Sequence, residues 1–182
     1  MNHDLTNGFS AQYYLEPGLL THFVHASRDI STDEEITISY APPLRFHEAR
    51  QKYLLDYFHF TCTCSRCKNG EASDHALHEI DGLQSSLGNW KPESTASVKK
   101  AEELIRLYKQ EGLDGFLDTA YGYAALTYNA VGSVRGAKKY AKLAGEAAAM
   151  KYGPSHSDVN VWKELERDPQ GHVSWRRRKI GK

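Results

Sequence analysis

Phe58-His59-Phe60-Thr61-Cys62-Thr63-Cys64-Ser65-Arg66-Cys67 carries all three cysteines of the 182-residue chain. Sulfurs this close in sequence cannot readily pair as disulfides, because the backbone between them is too short for the required geometry. They can converge on one zinc ion, which takes four ligands in a structural site. The plain alternative is three buried or surface thiols. With no fourth cysteine in the chain, His3, His25, His47 or His59 would have to complete a tetrahedral set. Spacing does not choose among them.

Working upstream, Phe46 to Phe58 reads as a helix with Phe46, Ala49, Tyr53 and Tyr57 on one face. Glu35-Ile36-Thr37-Ile38-Ser39-Tyr40 alternates as a strand, with Ile36 and Ile38 on one side and Thr37 and Ser39 on the other. Pro42 and Pro43 end it by removing backbone donors. Ala11 to Leu15 and Thr21 to Ala26 flank the Glu16-Pro17-Gly18 turn, which is a hairpin signal.

Downstream, residues 69–94 contain Gly70, Gly82, Gly88 and Pro92, with Leu77, Ile80, Leu83 and Leu87 at helical spacing. They read as a linker carrying one short helix. Helices are expected from Ala96 to Gln110, Leu117 to Val131, Val134 to Met150 and Ser157 to Glu166, with Gly112 and Gly132-Ser133 at joints. Ala125, Tyr128, Ala137, Ala141 and Ala144 match the tail of a tetratricopeptide consensus. Residues 95–168 are thus expected to form a helical array that folds independently and offers a face to a partner protein. In the basic end, 169–182, Arg176-Arg177-Arg178-Lys179 is either a solvated terminus or an import or nucleic-acid patch.

The 23 lysines and arginines balance the 23 aspartates and glutamates, so there is no global field for direct nucleic-acid or membrane binding. No apolar run approaches the roughly 18 residues of a spanning helix. A secreted disulfide scaffold would need more cysteines at wider spacing, which points to an intracellular protein.

In order along the chain stand Ala26-Ser27-Arg28-Asp29-Ile30, Asp33-Glu34-Glu35-Ile36-Thr37-Ile38-Ser39-Tyr40, Arg50 to Leu55, and the cysteine stretch. This run resembles the C-terminal half of a SET domain with its post-SET cysteine cluster, as in fungal proteins of the SET-and-MYND type, where a helical tail follows. His172-Val173-Ser174-Trp175-Arg176-Arg177 is similar to the end of that tail. The resemblance implies an α+β fold: a partial SET-type β fold with its cysteine cluster over 1–68, then a tetratricopeptide-like helical tail. It implies S-adenosylmethionine as cofactor, zinc, methyl transfer to a lysine of a protein substrate such as a histone, and a nuclear or cytoplasmic location. Such a transfer depends on lining up the amine, the methyl carbon and the departing sulfur. By the same resemblance Tyr40 is the catalytic tyrosine and Phe58 lines the substrate channel. Asn2, His3 and Phe60 contact the cofactor, and Cys62, Cys64 and Cys67 are three of four zinc ligands.

Departures from the family pattern are equally specific. Where the family has Asn-His, then Ser or Asp, then Cys, this chain has Asn2-His3-Asp4-Leu5, with leucine in place of the last ligand. Asp33 replaces a glycine, at a turn position that aspartate tolerates better than most residues. The family's Gly-x-Gly cofactor segment has no counterpart. The expectation is a truncated, catalytically impaired SET protein, with a non-catalytic helical interaction module as the alternative.

Overall fold

In the computed structural model, which describes residues 2–3, 10–16 and 18–178, the β-rich part is a pair of two-stranded sheets. Strand β1 (Asn2–His3) lies beside a later, parallel strand, β4 (Thr37–Ile38), with Asn2 opposite Thr37 and His3 opposite Ile38. Strands β2 (Ala11–Glu16) and β3 (Thr21–Ala26) form the expected antiparallel hairpin, Ala11 opposite Ala26 and Glu16 opposite Thr21. Ser10 ties the two sheets together. Its backbone N–H donates to Thr37 Oγ1 at 3.3 Å, and its hydroxyl accepts from the Thr37 N–H at 2.8 Å.

This pairing shortens the strand read for residues 35–40. The strand is only two residues long, and Thr37 is the buried side chain while Ile36 stays 47% exposed. Two buried hydroxyls that satisfy each other can replace ladder hydrogen bonds, and here they draw Thr37 inward. Asp33 sits at φ 63°, in the left-handed region where the family has glycine.

Helix α1 (His47–Phe58) forms as expected but turns a different face to the interior. Arg50 and Leu54 are fully buried, whereas Phe46 is exposed and Tyr57 is 69% exposed. Leu54 packs with Ala41, Cys62 and Cys67, so the helix leans on the cysteine loop, with Tyr53 at the edge of that core and Tyr57 outward.

Helix α2 (Ser65–Lys68) is a single turn, and α3 (Gly70–Gly88) spans 19 residues where a short helix was expected. Leu77, Ile80 and Leu87 of α3 join the principal core with Leu104 and Tyr108, Leu117 and Ala124, Ala141 and Leu165. Those partners come from α4 (Val98–Gln110), α5 (Leu117–Ala130), α6 (Val134–Tyr152) and α7 (Ser157–Arg167). Ser97 caps α4 by accepting the Lys100 N–H, and Ser133 caps α6 by accepting the Gly136 N–H. Gly112 and Gly132 take φ of 63° and 83° at the joints, as their positions require. Helices α5 and α6 run antiparallel: Tyr128 stacks on Tyr140 near the joint, and Asp118 meets Lys151 at the far end.

The basic end is docked rather than solvated through Arg178. Its guanidinium donates to the Leu87 and Asn89 carbonyls at 2.5 and 3.0 Å, and its backbone N–H donates to the Ala130 carbonyl at 2.9 Å. A cation there meets the unsatisfied carbonyls at a helix C-terminus. The Trp90 ring lies 4.1 Å from the same guanidinium.

Two glycines test this packing in opposite directions. A methyl group on Gly136 would stand 2.1 Å from the Tyr128 ring, so Gly136→Ala should destabilise the protein by about 1–3 kcal/mol. Gly82 has nothing within 4 Å, so Gly82→Ala should stabilise α3 by about 1 kcal/mol. Urea unfolding of both variants measures the two shifts.

Candidate functional site

Three aromatic residues singled out from the sequence meet at the end of α1. The Tyr40 ring stacks on Phe58 with centroids 4.9 Å apart, and meets Phe60 edge-on at 6.5 Å. They converge because α1 stops at His59, whose φ of 60° reverses the chain while its N–H still donates to the Leu55 carbonyl. Tyr40 and Phe60 pack against the small core of Ala41, Leu54, Cys62 and Cys67. Phe58 remains 42% exposed at the outer side of the trio.

Beside Tyr40 lies a groove of about 380 Å³, walled by Gln12, Ile38, Ser39 and Pro42. Its opposite wall is helical: Phe116 and Lys151. The Lys151 ammonium sits 4.4 Å from the Phe116 ring centroid and is paired with Asp118 at 2.9 Å. The backbone of Asn2 and His3 runs alongside Thr37 and Ile38, which lead directly to Tyr40. The side chains of Asn2 and His3 lie outside the described residues, as does Leu5.

The sulfurs of Cys62, Cys64 and Cys67 all lie within 4.8 Å of one another. Cys62 and Cys67 are buried and Cys64 is half-buried. The Gln51 side chain fixes the loop by donating to the Cys62 carbonyl at 2.8 Å and accepting the Cys62 N–H at 2.9 Å. Helix α2 then returns Cys67 toward Cys62. A tetrahedral zinc thiolate has bonds of about 2.3 Å, which sets its sulfurs roughly 3.8 Å apart. The triad therefore needs only a small closure to hold such an ion.

Among the described residues no histidine or carboxylate joins this group. His25 stacks on Tyr14 at 5.4 Å, and His47 is packed against Gly70 and the Gln51 amide. His59 ends α1 with an exposed side chain that does not join the sulfurs.

Sequence reasoning passed over two buried arginines: Arg66, which precedes Cys67, and Arg50, one turn before Leu54 on α1. Arg50 is fully buried and donates from Nη1 to the Arg45 carbonyl at 2.5 Å. Arg66 is buried and donates from Nε to Ser73 Oγ at 2.9 Å and to Glu111 Oε2 at 3.2 Å. Burial, and then the nearby Arg50 charge, lower the Arg66 pKa from the ordinary guanidinium value. The spacing of Arg50 to Leu54 does place them on one helix face, but a charged residue does not mark that face as buried.

Comparison with known proteins now bears on this arrangement. No protein-family model matches the chain. Histone-lysine N-methyltransferase set5 of Schizosaccharomyces pombe is 42% identical over 80 residues, which are 44% of this chain and 24% of that protein. Histone-lysine N-methyltransferase SMYD3 of Homo sapiens is 38% identical over 88 residues, covering 48% of this chain and 19% of the relative. SET domain and MYND-type zinc finger protein 6 of S. pombe is 42% identical over 57 residues, covering 31% and 11%. The chain thus matches about a quarter or less of each of these relatives' lengths. It is a homologue of SET-domain proteins of the SET-and-MYND type, and its cysteine cluster fits their post-SET segment.

Burial pushes the Cys62 thiol above its ordinary pKa, and hydrogen bonding with Cys64 together with burial pushes Cys67 further up. Raised thiol pKa values favour the neutral form in the folded state. Their stabilising effect is complete below the unfolded thiol value of about 8.5 and is lost as pH rises past it. Metal-free, reduced protein should therefore react slowly with iodoacetamide at neutral pH. Its urea midpoint should fall as the pH climbs above about 8.5.

Proposed function

We propose that this chain carries the C-terminal part of an S-adenosylmethionine-dependent protein-lysine methyltransferase site. The observation that supports this best is the Tyr40–Phe58–Phe60 ring cluster, seated on the cysteine core beside the β1–β4 pair. In this reading the Tyr40 hydroxyl supplies a polar contact beside the path of the methyl group. Phe58, at the solvent side, walls the channel for the lysine side chain. Phe60 covers the adenine, and Asn2 and His3 contact the cofactor from the strand paired with Thr37 and Ile38. When bound, S-adenosylmethionine supplies an electrophilic methyl group, and the protein's part is to aim a neutral amine at it. The substrate class is a lysine-bearing protein, a histone for the two relatives named as histone-lysine N-methyltransferases, and the location is nuclear or cytoplasmic. No helix among the described residues is long and apolar enough to cross a membrane.

The three cysteines are read as three of four zinc ligands that brace the loop carrying Phe60. Residues 95–168 are read as a tetratricopeptide-like tail, which the buried Ala125, Ala137, Ala141 and Ala144 at the α5–α6 contact support. For the 182-residue chain taken alone we propose weak or undetectable transfer. The named relatives carry the activity on chains of which it matches 24% or less. A second reading, a non-catalytic interaction module, draws on the groove of about 590 Å³ between Trp90, Trp162, Val161 and Val173 in the helical part.

A radiolabelled methyl-transfer assay with mixed histones tests this, run on the wild type and on Tyr40→Phe. The expected result is no transfer above background by the isolated chain. Transfer abolished by Tyr40→Phe would show a complete site and overturn the proposed impairment. Transfer indifferent to that change would overturn the role given to Tyr40.

A further inference from the structure

Arg66, which precedes Cys67 and lies within reach of its charge, and Arg50, near enough for its charge to act on Arg66, present an unmet demand for negative charge. Arg50 Nε and Nη2 and Arg66 Nη1 and Nη2 are buried and have no hydrogen-bond acceptor among the described residues. A guanidinium cannot shed its proton inside a protein, and a buried cation without a partner is strongly unfavourable. Among the described residues one carboxylate is hydrogen-bonded to the pair: Glu111 accepts from Arg66 Nε, and Ser73 Oγ donates to the same oxygen at 3.0 Å. Two guanidiniums against one carboxylate leave a single net positive charge in a largely buried setting.

The three thiols are neutral as long as they keep their protons. A divalent cation held by three thiolates and one neutral donor carries a single net negative charge. The chain has no further cysteine that could make it doubly negative, and no carboxylate joins the sulfurs among the described residues. We propose that Arg50 and Arg66 are the counter-cations of a trithiolate metal centre formed by Cys62, Cys64 and Cys67, whose fourth ligand is neutral. Loading the dication releases the three thiol protons to solvent, and the resulting monoanion balances the excess positive charge. The Arg66 side chain is tied to Ser73 and Glu111, so it is pre-oriented before any metal enters. The inference rests on the metal reading above, and it adds that affinity is set by charge outside the ligand set.

The test is a titration of the reduced full chain with Co²⁺, following the thiolate-to-cobalt absorption band and competing the metal off with a chelator. Removing a group that supports a metal's ligands typically weakens binding by about 10–100-fold. Arg66→Met and Arg50→Met should each weaken Co²⁺ by that order while keeping one ion per chain and the same band. Arg66→Lys, which retains the charge, should keep most of the affinity, and Lys68→Met, at an exposed position, should leave it unchanged. Glu111→Gln is the deciding variant, because it raises the local positive charge and should tighten binding. A merely structural role for the cluster gives the opposite sign. If either methionine variant fails to fold by circular dichroism, Arg66→Lys and Glu111→Gln carry the decision. Wild-type chain without a cobalt–thiolate band would overturn the metal reading itself. A normal band with affinity unmoved by these charges, or weakened in Glu111→Gln, would overturn this inference alone.

Discussion

The Gln51 side-chain amide is the contact on which the candidate site depends. By donating to the Cys62 carbonyl and accepting the Cys62 N–H, it gives one loop residue the two hydrogen bonds a neighbouring strand would supply. The loop from His59 to Cys64 has no regular partner of its own. Left unsatisfied in a buried setting, those two backbone groups would cost about 1–3 kcal/mol each. Once Cys62 is pinned, Phe60 is fixed two residues before it and Cys64 two residues after. The ring cluster and the sulfur cluster are therefore opposite sides of one short segment.

That segment is coupled to the helical part through a few specific contacts. Phe116 packs against both the large helical core and the small cysteine core. Gln12 of the hairpin donates to the Gly115 carbonyl at 2.7 Å, and Arg66 reaches Glu111 at the end of α4. The Arg66–Glu111 pair is almost fully buried, which makes it weak as net stabilisation but costly to break by removing one partner. The groove beside Tyr40 has one wall from each part. Its shape accordingly depends on how the helices sit against the β hairpin.

Much of the local structure was legible from spacing alone. The hairpin, the positions of α4 to α7, the glycine joints and the nearness of the three sulfurs depend on residues only a few positions apart. The α1 face was misread because Tyr53 and Tyr57 look like core residues and Arg50 does not. In the structure Tyr57 is exposed and meets the Tyr53 ring at 4.7 Å, and Tyr53 reaches only the edge of the cysteine core. Residues 69–94 looked like a linker because Gly70, Gly82 and Gly88 lower helix propensity. Burial of Leu77, Ile80 and Leu87 against α4 and α5 outweighs that local cost of roughly 1 kcal/mol per glycine.

The sequence by itself determined the identity of the chemical groups: three thiols in one short run, a tyrosine and two phenylalanines in family order, and helices with defined ends. Only the tertiary structure decided which of these groups meet and what surrounds them. Arg66 finds Glu111 across 45 residues, and Arg178 finds the carbonyl of Leu87 across 91. Ser10 and Thr37 bury their hydroxyls together across 27. Such partners are chosen by the need to satisfy charges and polar groups once water is excluded. That need arises only when distant segments have packed, so no local periodicity can encode it.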